Sequence, residues 1–333
     1  MERIVMEHGS GGRATGELIA EIFEQAFSNE VLSQMEDAAV VPGSSTIAMT
    51  TDSFVVTPMT FPGGDIGRLC ICGTVNDLLM RGAAPKYITC GFILEEGTDI
   101  AGLKKIVASM ADTAKEAGVQ IIAGDTKVIE GAGGVYINTT GVGFVPENVD
   151  IKAANSTPGD IIIVSGNMGD HHATVLSQRM EIQNTIMSDN APLCEMVKKF
   201  LQNNIRVHVL RDVTRGGLAT VLKELADSCG KTFEIREDSI PVDPQVRDFC
   251  GLLGLDPLYM GNEGKMVAVV AEEDAKKALT LMRESRYGEN AAAIGVVRNP
   301  ATEEEKGRLI LKTRIGGKRN LDGLQGEGLP RIC

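Results

Sequence analysis

Tryptophan is absent from these 333 residues, and aromatic side chains of all kinds make up 4% of them. So few rings leave little on which single-stranded nucleic acid could stack. Positive charge is also short: 33 Lys and Arg stand against 45 Asp and Glu, a net charge of −12. A surface that follows a phosphate backbone needs the opposite balance, so nucleic acid is not an expected partner. An acidic chain can still hold a nucleotide through metal ions and backbone N–H groups. No run approaches the roughly 18 apolar residues of a membrane span, so no membrane is expected either. The start, MERIVMEHGSGG, carries early charges and no apolar core, which argues against a signal peptide. The seven cysteines include no CxxC pair. Cys70, Cys72, Cys90, Cys194, Cys229 and Cys250 therefore read as small buried hydrophobes in a reducing cytoplasm. Cys333 differs by position: it is the last residue, a thiol beside an α-carboxylate.

What is present is an alternation of strands and helices. The first half predicts strands at 45–56, 85–97, 119–129 and 134–146, with helices at 65–83 and 99–118. Asp65 is placed to cap the first of these helices and Gly118 to end the second. A polar stretch at 147–160 marks a boundary. The second half runs a similar programme: strand, Gly turn and helix in IIIVSGNMGDHHATVLSQ and again in VHVLRDVTRGGLATVLKELADSCG, then KMVAVVAEEDAKKALTLMRES. The expectation is a two-domain α/β (α+β) protein. Its parts are an N-terminal segment at 1–42, domains at 43–150 and 151–315, and a glycine-rich flexible tail at 316–333 that carries Cys333 on an arm of up to about 60 Å.

Several residues could carry chemistry. In HGSGG, His8, Gly9, Ser10, Gly11 and Gly12 form a loop whose N–H groups could approach phosphate oxygens, without the spacing of a P-loop. The bland reading is a plain turn. Asp37, Asp52, Asp77, Asp125 and Asp212 recur beside Gly or Thr, mostly at strand ends. A carboxylate there is a turn or cap residue when alone. As a set, these suit Mg²⁺, which also takes phosphate oxygens. Lys127 shares a strand face with Asp125. Glu263, in GNEGK, stands before a strand; with Lys127 it could move a proton, or the two could be surface ion-pair residues. Asp170, His171 and His172 read as an N-cap and first-turn residues rather than a metal site, and His208 as structural.

Taken in order, HGSGG, EDAA, TDSFVVTPMTFPGGDIGRL, GTVNDLLMRGAAP, GDTKV, RDVTRGGLA, NEGK and the final LPRIC resemble the HypE family of [NiFe]-hydrogenase maturation factors, the carbamoyl dehydratases. The resemblance runs from His8 to Cys333. Its aspartate and glycine motifs are shared with a wider ATP-using superfamily that includes aminoimidazole ribonucleotide synthetase, selenophosphate synthetase and thiamine-phosphate kinase. The resemblance implies that superfamily's two-domain fold, a homodimer formed through the first domain, and an ATP site between domains near the dimer interface. It implies that Asp37, Asp52, Asp77, Asp125 and Asp212 hold Mg²⁺ and phosphates. Asn76 and Thr126 would help bind the nucleotide, and the HGSGG loop would close over it. Glu36 departs from the second Asp common in relatives. Cys333 would receive a carbamoyl group from a HypF-type carbamoyltransferase, and ATP would drive its dehydration to a thiocyanate. The cyano group would pass to iron on a HypC–HypD-type complex. Glu263 is then the candidate base and Lys127 its relay or electrostatic partner.

Two other readings remain at this point. One is a different ATP-dependent phosphotransferase or synthetase of the superfamily, although no Cys precedes Cys70 where selenophosphate synthetase would carry a reactive one. The other is a nucleotide-gated carrier that only presents Cys333.

Overall fold

The computed structural model describes residues 3–10, 12–35 and 38–324. Gly11, Glu36, Asp37, Arg331 and Cys333 lie outside them.

The N-terminal segment forms α1 (Arg13–Leu18), which continues as a π-helical turn through Ile19–Glu24. Next come β1 (Ile47–Phe54), the short ribbon β2 (Thr60–Phe61) and β3 (Gly64–Asp65), and α2 (Ile66–Leu79). β4 (Ala84–Glu95), α3 (Ile100–Ala117), β5 (Gln120–Ile129) and β6 (Val135–Phe144) complete the domain. Asp65 caps α2 by accepting from the Arg68 N–H, and Gly118 ends α3. The sheet order is β1-β6-β4-β5, with β4 and β5 parallel across the α3 crossover and the other pairs antiparallel.

Side chains alternate across this sheet. Phe54, Cys90, Phe92 and Ile137 point to the helix side and are buried. Ile47, Met49, Ile93 and Ile129 point the other way and are exposed. α2 is apolar on nearly every side, so it must be covered on every side. It lies against β1 and β6 and also touches α5 (Cys194–Gln202) and β8 (Val207–Asp212) of the second domain.

The second domain begins with β7 (Ile161–Val164) and α4 (Asp170–Arg179), followed by α5 and β8. It continues through α6 (Gly217–Cys229), β9 (Thr232–Arg236), α7 (Pro244–Leu253), β10 (Met266–Val270), α8 (Glu272–Arg283), β11 (Ala292–Arg298), β12 (Leu309–Lys312) and β13 (Lys318–Leu321). Its seven strands run β13-β12-β9-β11-β7-β10-β8. Every residue of β10 is buried, as expected of a central strand covered on both faces.

Three expectations need correction. The stretch from 316 is not wholly a loose tail, because residues 318–321 pair antiparallel with β12 and bury Leu321. Gly316 and Gly317 close the hairpin through bonds to Thr313, so part of the glycine content is turn chemistry. Asp170 is not the cap of α4: Gly169 takes that position and Asp170 is the first helical residue. Cys194 and Cys229 are only partly buried, whereas Cys70, Cys72, Cys90 and Cys250 are buried; all six are free thiols.

Candidate functional site

The candidate residues separate into two cavities. The larger, about 670 Å³, lies between β1 and α2 of the first domain and β8 and α6 of the second. Asp52, Asp77, Asp212 and Glu263 line it, with Thr50, Thr51, Arg211 and Arg215. Asp77 is held by the Thr50 hydroxyl, which donates to Oδ2 at 2.7 Å. The Ser53 N–H donates to Asp52 Oδ1 at 2.8 Å. Burial raises the pKa of all three aspartates. The Asp77 charge adds to this at Asp52 and at Asp212, whose carboxyl is pushed up to about 6. Crowded carboxylates of this kind are relieved by a cation.

Among the described residues no three His, Cys, Asp or Glu side chains stand close enough to hold one ion. Mg²⁺ commonly uses only one or two carboxylates, filling its octahedron with water and phosphate oxygens. The donor chemistry of Asp52, Asp77 and Asp212 therefore fits Mg²⁺ carried with a nucleotide. Among the described residues Asp52, Asp77 and Asp212 share this cavity and Asp125 does not; Asp37 lies outside them.

Glu263 is 4% exposed. Burial comes first, then the charges of Asp189, Asp212 and Asp52, and together they push its carboxyl well above the usual range; Arg215 opposes them. Its Oε1 has no hydrogen-bond partner among the described residues.

The second cavity, about 300 Å³, lies between the N-terminal segment and β5. Phe23, Phe27, Leu32 and Met35 line its apolar part, and Gly9, Asp125, Thr126 and Lys127 its polar part. Asp125 and Lys127 form an exposed ion pair at 2.8 Å, which holds the Asp125 carboxyl below its ordinary range. They do not meet Glu263. β5 and β1 are opposite edges of the sheet, about 14 Å apart at ordinary strand spacing. Asp125 and Lys127 also project from the open face, while Asp52 projects toward α2. The expected Lys127–Glu263 partnership is thus not made within one chain.

Other candidates have local duties. His8 Nδ1 accepts from the Val5 N–H within a 3-10 turn at Met6–Gly9, and Ser10 Oγ donates to Glu7 O. A Cβ on Gly9 would stand 2.7 Å from the backbone N of Val128, so this glycine allows the turn to lie on β5. Asn76 was expected to position a nucleotide, but it is 3% exposed and both ends of its amide are engaged. It donates to Ala191 O and accepts from the Leu193 N–H. Facing inward from α2, it ties the two domains together. His171 and His172 are buried, with His171 Nδ1 at 2.7 Å from Ser188 Oγ and His172 Nδ1 accepting from the Gly261 N–H. His208 Nδ1 lies 2.7 Å from Asp160 Oδ2.

Sequence reasoning missed Arg211, Arg215 and Asp189. The two arginines flank Asp212 in RDVTRGG, a visible signal. Asp189 sits in a loop with no periodicity to mark it.

Residues 35–145 and 157–308 match the N-terminal and C-terminal domains, respectively, of the AIR synthase related protein family. Carbamoyl dehydratase HypE of Cupriavidus necator is 50% identical over 99% of this chain and 95% of its own length. A crystal structure of hydrogenase maturation protein HypE in complex with ATP superposes with a TM-score of 0.96 at 46% identity, covering 99% of both chains. HypE from a crystal structure of a HypE–HypF complex gives 0.80 at 46% identity, over 92% of this chain and 99% of that one. With both domains and the whole length accounted for, the chain belongs to the HypE family of hydrogenase maturation proteins.

Proposed function

We propose that this chain is a cytoplasmic, ATP- and Mg²⁺-dependent carbamoyl dehydratase that converts a carboxamide on the Cys333 sulfur to a thiocyanate, the source of the cyanide ligand of [NiFe]-hydrogenase iron. The observation that carries this reading is the meeting of Asp52, Asp77, Asp212 and Glu263 in one cavity beside the end of the described chain. The Leu324 N–H donates to Thr220 Oγ1 on α6, whose next turns, with Val221 and Glu224, line that cavity. Eight residues lie between Leu324 and Cys333. The nine steps span at most about 30 Å, enough to enter it.

An amide oxygen is a poor leaving group until it is phosphorylated. The carboxamide oxygen bonds to the γ-phosphorus of ATP as ADP leaves. The nitrogen then loses two protons while the C–O bond breaks and phosphate departs, leaving a C≡N group on sulfur. Glu263 takes one proton from nitrogen, a role that suits a buried carboxyl whose Oε1 has no partner among the described residues, and the departing phosphate carries away the other. Mg²⁺ held by Asp52, Asp77 and Asp212 would offset charge on the transferred phosphoryl group. Arg211 and Arg215 would orient the phosphates, and exclusion of water from the occupied cavity would limit ATP hydrolysis.

The homodimer is part of this reading. The open face of the first sheet carries Ile47, Met49, Ile93 and Ile129 in contact with solvent, an apolar surface that a second copy would cover. Asp125 and Lys127 lie on that same face. A partner copy would present them, with Thr126 and the turn that carries His8 and Ser10, to the first copy's acidic cavity. The HypF partner found with a HypE relative supports a HypF-type carbamoyl donor. A HypC–HypD-type complex would accept the cyano group. The reading is tested by counting: wild type should release one ADP per cysteine converted, and Cys333→Ala should release none above the basal rate. ADP release by Cys333→Ala at the wild-type rate would favour a sibling phosphotransferase.

A further inference from the structure

Glu263 is held from the loop before α5. Asp189 is buried, its side chain 2% exposed, and its Oδ1 accepts the backbone N–H of Glu263 at 3.0 Å. Its Oδ2 lies 3.9 Å from Lys265 Nζ, itself 9% exposed. Between these two contacts sits Gly264. A Cβ there would stand 1.9 Å from the Asp189 carbonyl oxygen and 2.7 Å from the Ala191 nitrogen, so the two loops interlock only because that residue has no side chain. The other end of the Asp189 loop is fixed from the first domain, where Asn76 holds Ala191 O at 3.0 Å and the Leu193 N–H at 2.9 Å.

A continuous path results. Asn76 and Asp77 are neighbours on α2. Asp77 faces the acidic cavity, and Asn76 grips the loop whose Asp189 anchors Glu263. One turn of helix therefore sets both the phosphate side of the site and the proton acceptor across from it. A base must sit within hydrogen-bond reach of its proton, and small displacements are costly, so this anchoring bears on rate.

We propose that Asp189 is a positioning residue for Glu263, acting through its bond to the Glu263 backbone and held in place by the Asn76-bound loop, with Lys265 as an ionic neighbour at 3.9 Å beyond hydrogen-bond reach. The inference rests on the reading of Glu263 as the base. Lys265 balances the Asp189 charge in a buried setting, where an unpaired carboxylate would be expelled or protonated. Asp189 touches no reacting atom. Its effect therefore falls on the chemical step and not on nucleotide affinity.

The experiment uses the full-length chain, carbamoylated by a HypF-type enzyme and mixed with ATP and Mg²⁺, with nitrile formation followed by mass. Asp189→Ala should slow nitrile formation by about 100-fold while the KM for ATP stays within about twofold. Asp189→Asn keeps an acceptor oxygen and should recover to within about threefold of wild type. The double variant Asp189→Ala with Glu263→Gln should be no slower than Glu263→Gln alone, because the two act as one unit. A slow Glu263→Gln beside a fast Asp189→Ala would overturn the positioning role and leave the base standing. A Glu263→Gln variant at the wild-type rate would remove the base itself and the inference with it. Should Asp189→Ala not fold, Asp189→Ser, too short to reach the Glu263 N–H, takes its place: a deep loss with the KM for ATP unchanged upholds the role, and a near-wild-type rate overturns it.

Discussion

The two cavities carry the same family of motifs and are built in opposite ways. The acidic cavity is made by both domains: α2 and β1 supply Asp77 and Asp52, and the second domain supplies Asp212 and Glu263. Its carboxyls are raised by burial and, at Asp52, Asp212 and Glu263, by neighbouring acids. The cavity at β5 is made within the first domain and its N-terminal segment. Its Asp125 is exposed, paired with Lys127 and lowered. Electrostatic tension sits in one cavity and relief in the other. Perturbed, mutually repelling carboxyls are where a cationic ligand and proton transfer are expected, which is why the proposed function puts the chemistry in the first cavity and a supporting role in the second.

The largest effect should come from removing the proton acceptor of the acidic cavity. Glu263→Gln should slow nitrile formation by about 10²–10⁴-fold in single-turnover assays, while Lys127→Ala in the other cavity should lose less. Equal losses would erase the distinction between the cavities.

A mixing experiment sharpens it. If the two cavities meet only between copies, Asp77→Asn and Lys127→Ala chains should complement each other. Random pairing puts half the dimers in the mixed form, each with one intact site. Equal mixtures after subunit exchange should then recover roughly a quarter of wild-type activity, although each variant alone is impaired. Activity no higher than the average of the two variants would mean that the cavities work separately.

The smallest effect concerns stability near the Asp189 loop. Burial, followed by the charge of Asp189, pushes the Asp170 carboxyl up to about 7, with Lys265 opposing and Asp243 adding. A raised folded-state pKa means that the folded form binds the extra proton. Its stabilising contribution is complete below the ordinary carboxyl range and is lost as pH rises through about 7. Asp170→Asn removes that titration. Its Tm should exceed wild type by about 2–4 °C at pH 8, and the gap should close toward pH 4 in scanning calorimetry. A constant gap across that range would assign the effect to packing.

Much of the first domain was legible because its elements repeat strongly: a long apolar helix at Ile66–Leu79, an amphipathic one at Ile100–Ala117, and strands with clear alternation. β13 was not, since KRNL has no apolar period and is recruited by pairing with β12. The four acidic candidates that line the acidic cavity, Asp52, Asp77, Asp212 and Glu263, were legible as motifs. Their partition was not. Asp125 and Asp52 look alike in GDT and TTD, and only strand order places them on opposite edges. Asn76 was named through the family resemblance alone, and its amide bonds to Ala191 and Leu193 join the two domains, a contact that no sequence period marks. Asp189 was invisible because its role comes from a loop-to-loop bond across 74 residues.

The central claim is that Cys333 carries the group that ATP dehydrates. The most direct measurement is the intact mass of the C-terminal peptide after incubation with ATP, Mg²⁺, carbamoyl phosphate and a HypF-type partner, beside a Cys333→Ala control. The account predicts a gain equal to a carbamoyl group minus one water, on Cys333 and only with ATP. A carbamoyl gain that never loses water, with ATP present and the protein folded, would contradict it and leave Cys333 a carrier.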